Sequence, residues 1–394
     1  MNARSPLIIV GASARAAAES AARGGFQPMG IDLFADADLR TLGPTIQIER
    51  YPAEFLRALS AAPEAPWMYT GSLENYPRLV GRLAKLRPLL GNGPEVVARV
   101  RDPRWLASQL SKTELAYPET RFAGDKIASE AGWLIKPIRS AGGMGIRQAD
   151  AAEGRFVGTR HVYQRYVQGV SLSASFMATK NGVHLLGFAQ QWCGENWGSP
   201  QPFQFAGAMS PLKLLPADEE TIVRAANQLA ASAGLRGLFG LDLIRDAERI
   251  WLIEVNPRYT ASMELLESTT GPSLVVAHCQ AFAAEDVSIF RVASTEFHAK
   301  LIVYATESGV AGDRLQQLIG ELGAVGIQVK DIPVWGTTID KHSPICTVQI
   351  ASADRATIAN GLVTSAEQIC SSLDPPVPVS DPGGKMLSPT NGNS

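Results

Sequence analysis

Apolar residues in this chain fall into short runs separated by polar or glycine-rich turns. Residues 6–10 predict a buried strand, 11–15 a turn, the alanine-rich stretch to about 24 a helix, and 25–32 the approach to a second strand. That opening is a βαβ unit of the doubly wound kind. Residues 67–71 read as a strand end, followed by a loop at the carboxyl edge of the sheet and a helix over 76–86. A helical pattern covers 94–110 and an amphipathic one 218–233. Strands are expected at 133–136, 162–167, 171–177 and 183–191, with a glycine-, proline- and aromatic-rich loop at 193–207. Further on come strands at 297–305, 327–332, 337–339 and 345–350, then a helix at 353–371.

The most informative pattern is a pair of apolar runs, 238–244 and 250–253, joined by the polar turn 245–249. It predicts a β-hairpin. The hairpin can set Asp242 beside Glu254, with Asn256 two residues on and on the same face. Two carboxylates and an amide oxygen are hard ligands suited to Mg²⁺. The same pattern also fits a surface hairpin with a solvated acidic turn. A second stretch weighs against that reading. The apolar strand ending at Lys136 runs into Ser140-Ala141-Gly142-Gly143-Met144-Gly145. Backbone N–H groups of a glycine loop can cradle phosphate oxygens, and a strand-end lysine adds a point charge. The lysine precedes the glycines and no GKS or GKT follows, so this is neither a Walker A loop nor a GxGxxG fingerprint.

Taken together, Lys136-Pro137, the loop 140–145, Asp242, and Glu254-Val255-Asn256-Pro257-Arg258 resemble the ATP-grasp superfamily over roughly residues 96–290. Closer in, the chain resembles uncharacterised ATP-dependent carboxylate–amine ligases related to biotin carboxylase. Some of these accompany tetrahydromethanopterin-linked one-carbon metabolism. The resemblance implies an α/β protein, α+β in its ATP-binding part. A Rossmann-like preceding domain would span 1–95, the ATP-grasp domain 96–290 with a lid at about 113–165, and a small C-terminal α+β subdomain 291–372. Residues 373–394, rich in Pro, Ser, Gly and Asn, are expected to be a poorly ordered tail.

The resemblance also implies ATP and Mg²⁺ (or Mn²⁺) as cofactors. The metal would lie on Asp242, Glu254 and Asn256, and the phosphates on Lys136, Ser140, Gly142, Gly143 and Gly145. Tyr163, Gln164 and Val167 would form the hinge behind the adenine. Arg258 would steady charge at the reacting group. The family's first nucleotide-binding lysine is missing, and Arg101 or Arg104 stands where it would be; Ser171 replaces a glutamate after the hinge. Glu74 and Asn75, on the loop of the first domain, are candidates to read an amine, with helix capping as the alternative. Ser13 and Arg15 are candidates for substrate contact, against an N-cap and a surface arginine.

Composition narrows the function without choosing it. A formal charge of −2 leaves no basic footprint for nucleic acid. No apolar run approaches the ~20 residues of a membrane span. Four scattered cysteines without a CxxC, and no secretory signal, point to a reduced, cytoplasmic protein. The expected partners are a small-molecule carboxylate and an amine, joined with release of ADP and phosphate; a homodimer is compatible with this. Two other readings stand beside this ligase: a bicarbonate-activating carboxylase and a non-catalytic nucleotide-binding scaffold. Biotin carboxylases carry a Gln and a Glu where this chain has Thr260 and Ser262, and there is no biotin attachment segment.

Overall fold

The computed structural model describes residues 5–125, 132–149, 158–267, 272–283, 287 and 294–376. The chain opens with a four-stranded parallel sheet: β1 (Pro6–Gly11), β2 (Gln27–Asp32), β3 (Thr45–Gln47) and β4 (Trp67–Tyr69), in the order β3-β2-β1-β4. Five successive residues of β1 are buried, as a parallel strand covered on both faces requires. The helix Arg15–Arg23 covers one face with Ala17, Ala18 and Ala21. Asp32, at the end of β2, accepts from Phe34 N and Ala35 N (2.7 Å each) and from Ala14 N (2.5 Å) in the turn after β1. This parallel unit is Rossmann-like, but its acidic strand end is committed to the protein's own backbone.

A small antiparallel sheet, β5 (Thr120–Arg121), β6 (Trp133–Pro137), β7 (Arg147–Gln148) and β8 (His161–Arg165), runs in the order β5-β8-β6-β7. Trp133, Ile135 and Tyr163 form its core. The main sheet is antiparallel and eight-stranded. It takes β9 (Val170–Thr179), β10 (Gly182–Cys193), β11 (Phe205–Ser210), β12 (Gly237–Arg245), β13 (Ile250–Asn256) and β14 (Phe297–Tyr304). The two-residue ribbon β15 (Gly309–Val310) with β17 (Thr338–Ile339) stands apart; β16 (Gln328–Lys330) and β18 (Pro344–Ser352) complete the main sheet. The order is β13-β12-β9-β10-β11-β14-β18-β16, so the C-terminal strands extend the sheet that holds the hairpin. The expected division at 290/291 and the tail from 377 onward lie outside the described residues. No helix among the described residues is long and apolar enough to cross a membrane.

Two local expectations change. The helical pattern at 94–110 is two helices, Pro94–Val100 and Pro103–Leu110. Pro103 cannot continue the first, and Asp102 caps the second by accepting from Arg104 N (2.9 Å). Arg15 is only 2% exposed, so it is not a surface arginine. Its guanidinium pairs with Asp331 (2.9 Å), Glu19 (3.0 Å) and Glu264, so it binds the first domain to the C-terminal strands. Ser13 stays exposed, and its carbonyl accepts from Thr70 Oγ1 (2.8 Å).

Candidate active site

β12 and β13 form the expected hairpin, with Asp242 directly opposite Glu254 and Gly240 opposite Asn256. Asp242 accepts from Asn256 Nδ2 (2.7 Å) on one oxygen and from Gln191 Nε2 of β10 (2.9 Å) on the other. Burial raises the Asp242 pKa, and these two donors oppose that shift. Gly240 is small for a reason: a Cβ there would lie 2.9 Å from Thr260 Cγ2.

Arg101 follows the helix Pro94–Val100. Its Nη1 donates to Glu254, and its Nη2 donates to Asn75 Oδ1 (2.8 Å) and Ser140 O (3.3 Å). Arg104 turns away and lies 4.0 Å over the Phe122 ring. Of the two candidates for the missing lysine's place, Arg101 is therefore the one facing the carboxylates. Lys136 ends β6 and donates from Nζ to Gln164 Oε1 (2.9 Å), whose Nε2 donates to Thr120 Oγ1 (3.1 Å). Burial pushes the Lys136 ammonium down to about 8; Arg101 acts in the same direction and Asp242 opposes it. The lysine thus shares one electrostatic neighbourhood with the hairpin.

Arg258 donates from Nη2 to Glu74 Oε1 (2.5 Å) and Asn256 Oδ1 (3.1 Å), and from Nη1 to Tyr259 O (3.1 Å). Gly71 lets the backbone approach the guanidinium, since a Cβ there would sit 3.2 Å from its central carbon. Glu74 has no exposed surface. Burial disfavours its charge, but Arg258 and then Arg101 hold its pKa below the usual range. A wholly buried, arginine-paired carboxylate does not take a proton from an amine. Where an amine-reading group was expected, the structure shows a carboxylate paired with Arg258. Glu74 Oε2 and Arg258 Nε are buried without a hydrogen bond, which is costly.

The glycine loop is held on both sides. Asn75 Nδ2 donates to Ser140 O (3.0 Å) from the first domain. Opposite, Phe205 N donates to Gly142 O (2.8 Å) and Gly145 N to Gln201 Oε1 (2.7 Å). Gly142, Gly143 and Gly145 have φ of 58°, 76° and 73°, where glycine is favoured. A Cβ on Gly143 would lie 1.9 Å from Phe203 O, so its hydrogen side chain serves loop packing. The Gly145 amide, expected to face phosphate, is taken by Gln201.

The hinge residues separate. Gln164 shares a face of the small sheet with Lys136. The Tyr163 side chain points to the other face, against Trp133 and Ile135. β8 lies between β5 and β6, so the backbone groups of Tyr163 and Gln164 face neighbouring strands and are not turned to a base as expected. Val167 is half-buried in the connection to β9. Thr260 and Ser262 are buried, with Ser262 Oγ accepting from Ser173 Oγ (2.9 Å) and lying 3.2 Å from Thr260 Oγ1.

The residues fit a hard divalent cation in part. Asp242 and Glu254 offer two adjacent carboxylates. Among the described residues no group of three or more His, Cys, Asp or Glu is arranged to hold a metal. A pair suits an ion that takes the rest of its shell from water and phosphate oxygens. Asn256 does not present its oxygen to such an ion: Oδ1 accepts from Arg258 while Nδ2 holds Asp242. Gln191 escaped sequence reasoning, because only strand order brings it here; Asn75, a candidate to read an amine, is bonded to Arg101 and to the Ser140 carbonyl.

A family model for the ATP-grasp domain matches residues 100–262, the stretch from Arg101 through the hairpin. Residues 100–262 are an ATP-grasp domain. The chain is similar to an uncharacterised protein of Methanocaldococcus jannaschii, 22% identical over 284 residues, covering 70% of this chain and 66% of that protein. It is also similar to a formate-dependent phosphoribosylglycinamide formyltransferase of Cupriavidus necator, 26% identical over 136 residues, covering 32% and 34%. In each case the match spans less than two thirds of the relative's own length. Among solved structures, the ATP-grasp fold is shared with biotin carboxylase from Campylobacter jejuni (TM-score 0.70, 14% identity, 92% and 94% of the two chains). It is shared equally with L-amino acid ligase from Bacillus licheniformis (TM-score 0.69, 15% identity, 93% and 98%).

Proposed function

We propose that the protein is an ATP- and Mg²⁺-dependent ligase that joins a carboxylate to an amine through an acyl phosphate. A carboxylate oxygen attacks the γ-phosphorus of ATP and ADP leaves. The amine nitrogen then attacks the acyl carbon, phosphate leaves with that oxygen, and the nitrogen loses a proton to give the amide. Asp242 and Glu254 would hold Mg²⁺, which when bound would neutralise charge on the phosphoryl group. The chain's own share is positioning and electrostatics. Lys136 places an ammonium toward the phosphates, and Arg258, fixed by Glu74, faces the reacting carboxylate.

The observation carrying this reading is the cross-strand pair of Asp242 and Glu254 with the Glu74-anchored Arg258 behind it. Against the carboxylase alternative stands the buried Ser173–Ser262–Thr260 hydroxyl group, which offers no base for bicarbonate near neutral pH. The likeness to both biotin carboxylase and L-amino acid ligase extends to the fold and leaves that choice to the residues.

The test is isotopic. With an ¹⁸O-labelled carboxylate, one label is expected in the released phosphate. Phosphate free of label in a turning-over reaction would eliminate the acyl phosphate.

A further inference from the structure

Arg101 joins three parts of the site that are distant in sequence. One nitrogen donates to Glu254 on the hairpin, and the other to Asn75 Oδ1 of the first domain and Ser140 O of the glycine loop. Asn75, 8% exposed, closes the triangle by donating to the same Ser140 carbonyl (3.0 Å). A second contact between the loop and the first domain lies alongside, with the Arg139 guanidinium 5.6 Å over the Tyr76 ring. Arg101 is half-buried, and its charge acts on Asp242 as well as on Glu74.

We propose that Arg101 is an internal counter-cation that competes with the metal for Glu254 and couples that exchange, through Asn75, to the glycine loop. This rests on the proposed metal pair. Glu254 Oε1 is engaged by the guanidinium, and Asp242 lies directly opposite. A divalent ion held by the two carboxylates would stand beside this half-buried like charge and be repelled by it. Metal entry therefore displaces Arg101 from Glu254. The Nη2 contacts that Arg101 makes to Asn75 and Ser140 are disturbed in the same movement, and the loop loses part of its hold on the first domain. Asn75 is a positioning residue here, bonded to Arg101 and to the Ser140 carbonyl.

The experiment uses the full chain and Mn²⁺ as the probe, read by electron paramagnetic resonance without nucleotide and by hydrogen exchange at residues 138–146. Arg101→Met is expected to bind Mn²⁺ about tenfold or more tightly than the parent, the size of one charge-assisted contact, and to exchange faster in the loop. Arg101→Lys, which keeps the charge but has one nitrogen, is expected to leave Mn²⁺ affinity near the parent's and to speed loop exchange. Asn75→Ala should likewise speed exchange without tightening Mn²⁺. Arg101→Met that binds Mn²⁺ no more tightly than the parent, while Asp242→Asn abolishes binding in both backgrounds, would overturn the exchange alone. Mn²⁺ binding that survives Asp242→Asn would overturn the metal reading and the exchange with it.

Discussion

Arg258 and Glu74 are 184 residues apart in sequence, yet Nη2 and Oε1 lie 2.5 Å apart in the fold. The contact ties the end of the β12–β13 hairpin to the carboxyl edge of the first sheet, and its carboxylate is wholly buried. Glu74→Gln keeps an acceptor but removes the charge that fixes the guanidinium. Turnover is expected to fall by at least about tenfold, with ATP affinity within about threefold, because Arg258 rather than the nucleotide depends on Glu74. Steady-state kinetics beside calorimetry check this; equal losses in both would place Glu74 in nucleotide binding.

Lys136→Ala is expected to weaken ATP binding by about 10- to 150-fold, the equivalent of roughly 1.5–3 kcal/mol for a charge-assisted hydrogen bond. Since burial sets the free ammonium at about 8, binding above that pH must first restore its proton. ATP affinity should be flat well below pH 8 and decline above it, by at most about tenfold per pH unit. Lys136→Arg should remove the decline. Calorimetry across pH 6.5–9.5 reads both outcomes.

How far the sequence reveals this site depends on whether the signal is local. The hairpin was legible because two apolar runs around a polar turn fix which residues stand opposite each other. The glycine loop was legible because left-handed backbone needs glycine, although the particular contacts at Gly143 and Gly145 were not. The break at Pro103 was missed, although the Asp-Pro pair that stops one helix and caps the next is a local signal. The choice between Arg101 and Arg104 was not readable, because it depends on Phe122 drawing one guanidinium away from the carboxylates. The function of Glu74 depends on a partner 184 residues on. Arg15 read as a substrate contact or a surface arginine, because its partners Glu264 and Asp331 come from two later segments.

Gly143→Ala should disrupt the loop by two routes: φ of 76° is strained for alanine, and the added carbon would meet Phe203 O. Faster hydrogen exchange at residues 140–146 and 201–205 is expected, with the main sheet unchanged. Exchange equal to the parent in both segments would show that the two loops do not depend on this contact.

His278 supplies a pH test of stability away from the chemistry. Its Nδ1 accepts from Leu238 N (2.9 Å), and Nε2 lies 3.0 Å from Leu90 O, joining a helix, β12 and the first domain. Burial depresses the imidazole pKa to about 4, against 6.5 as the ordinary value. The folded state thus favours the neutral ring. Its contribution is complete above pH 6.5 and is lost as pH falls through about 4. Thermal melts should show Tm dropping over that window in the parent and a shallower drop in His278→Gln. Parallel pH curves would remove His278 as the cause.

The most direct measurement is ADP formation by the purified full chain with Mg²⁺ and a panel of carboxylates and amines, bicarbonate included, run beside Asp242→Asn and Glu254→Gln. ADP release is expected to need a carboxylate and an amine together, and to be lost in both variants while their folds persist. ADP release stimulated by bicarbonate alone, with labelled carbonate entering a product, would contradict the ligase reading. Undiminished Mg²⁺-dependent turnover in both variants would contradict the metal pair on which it stands.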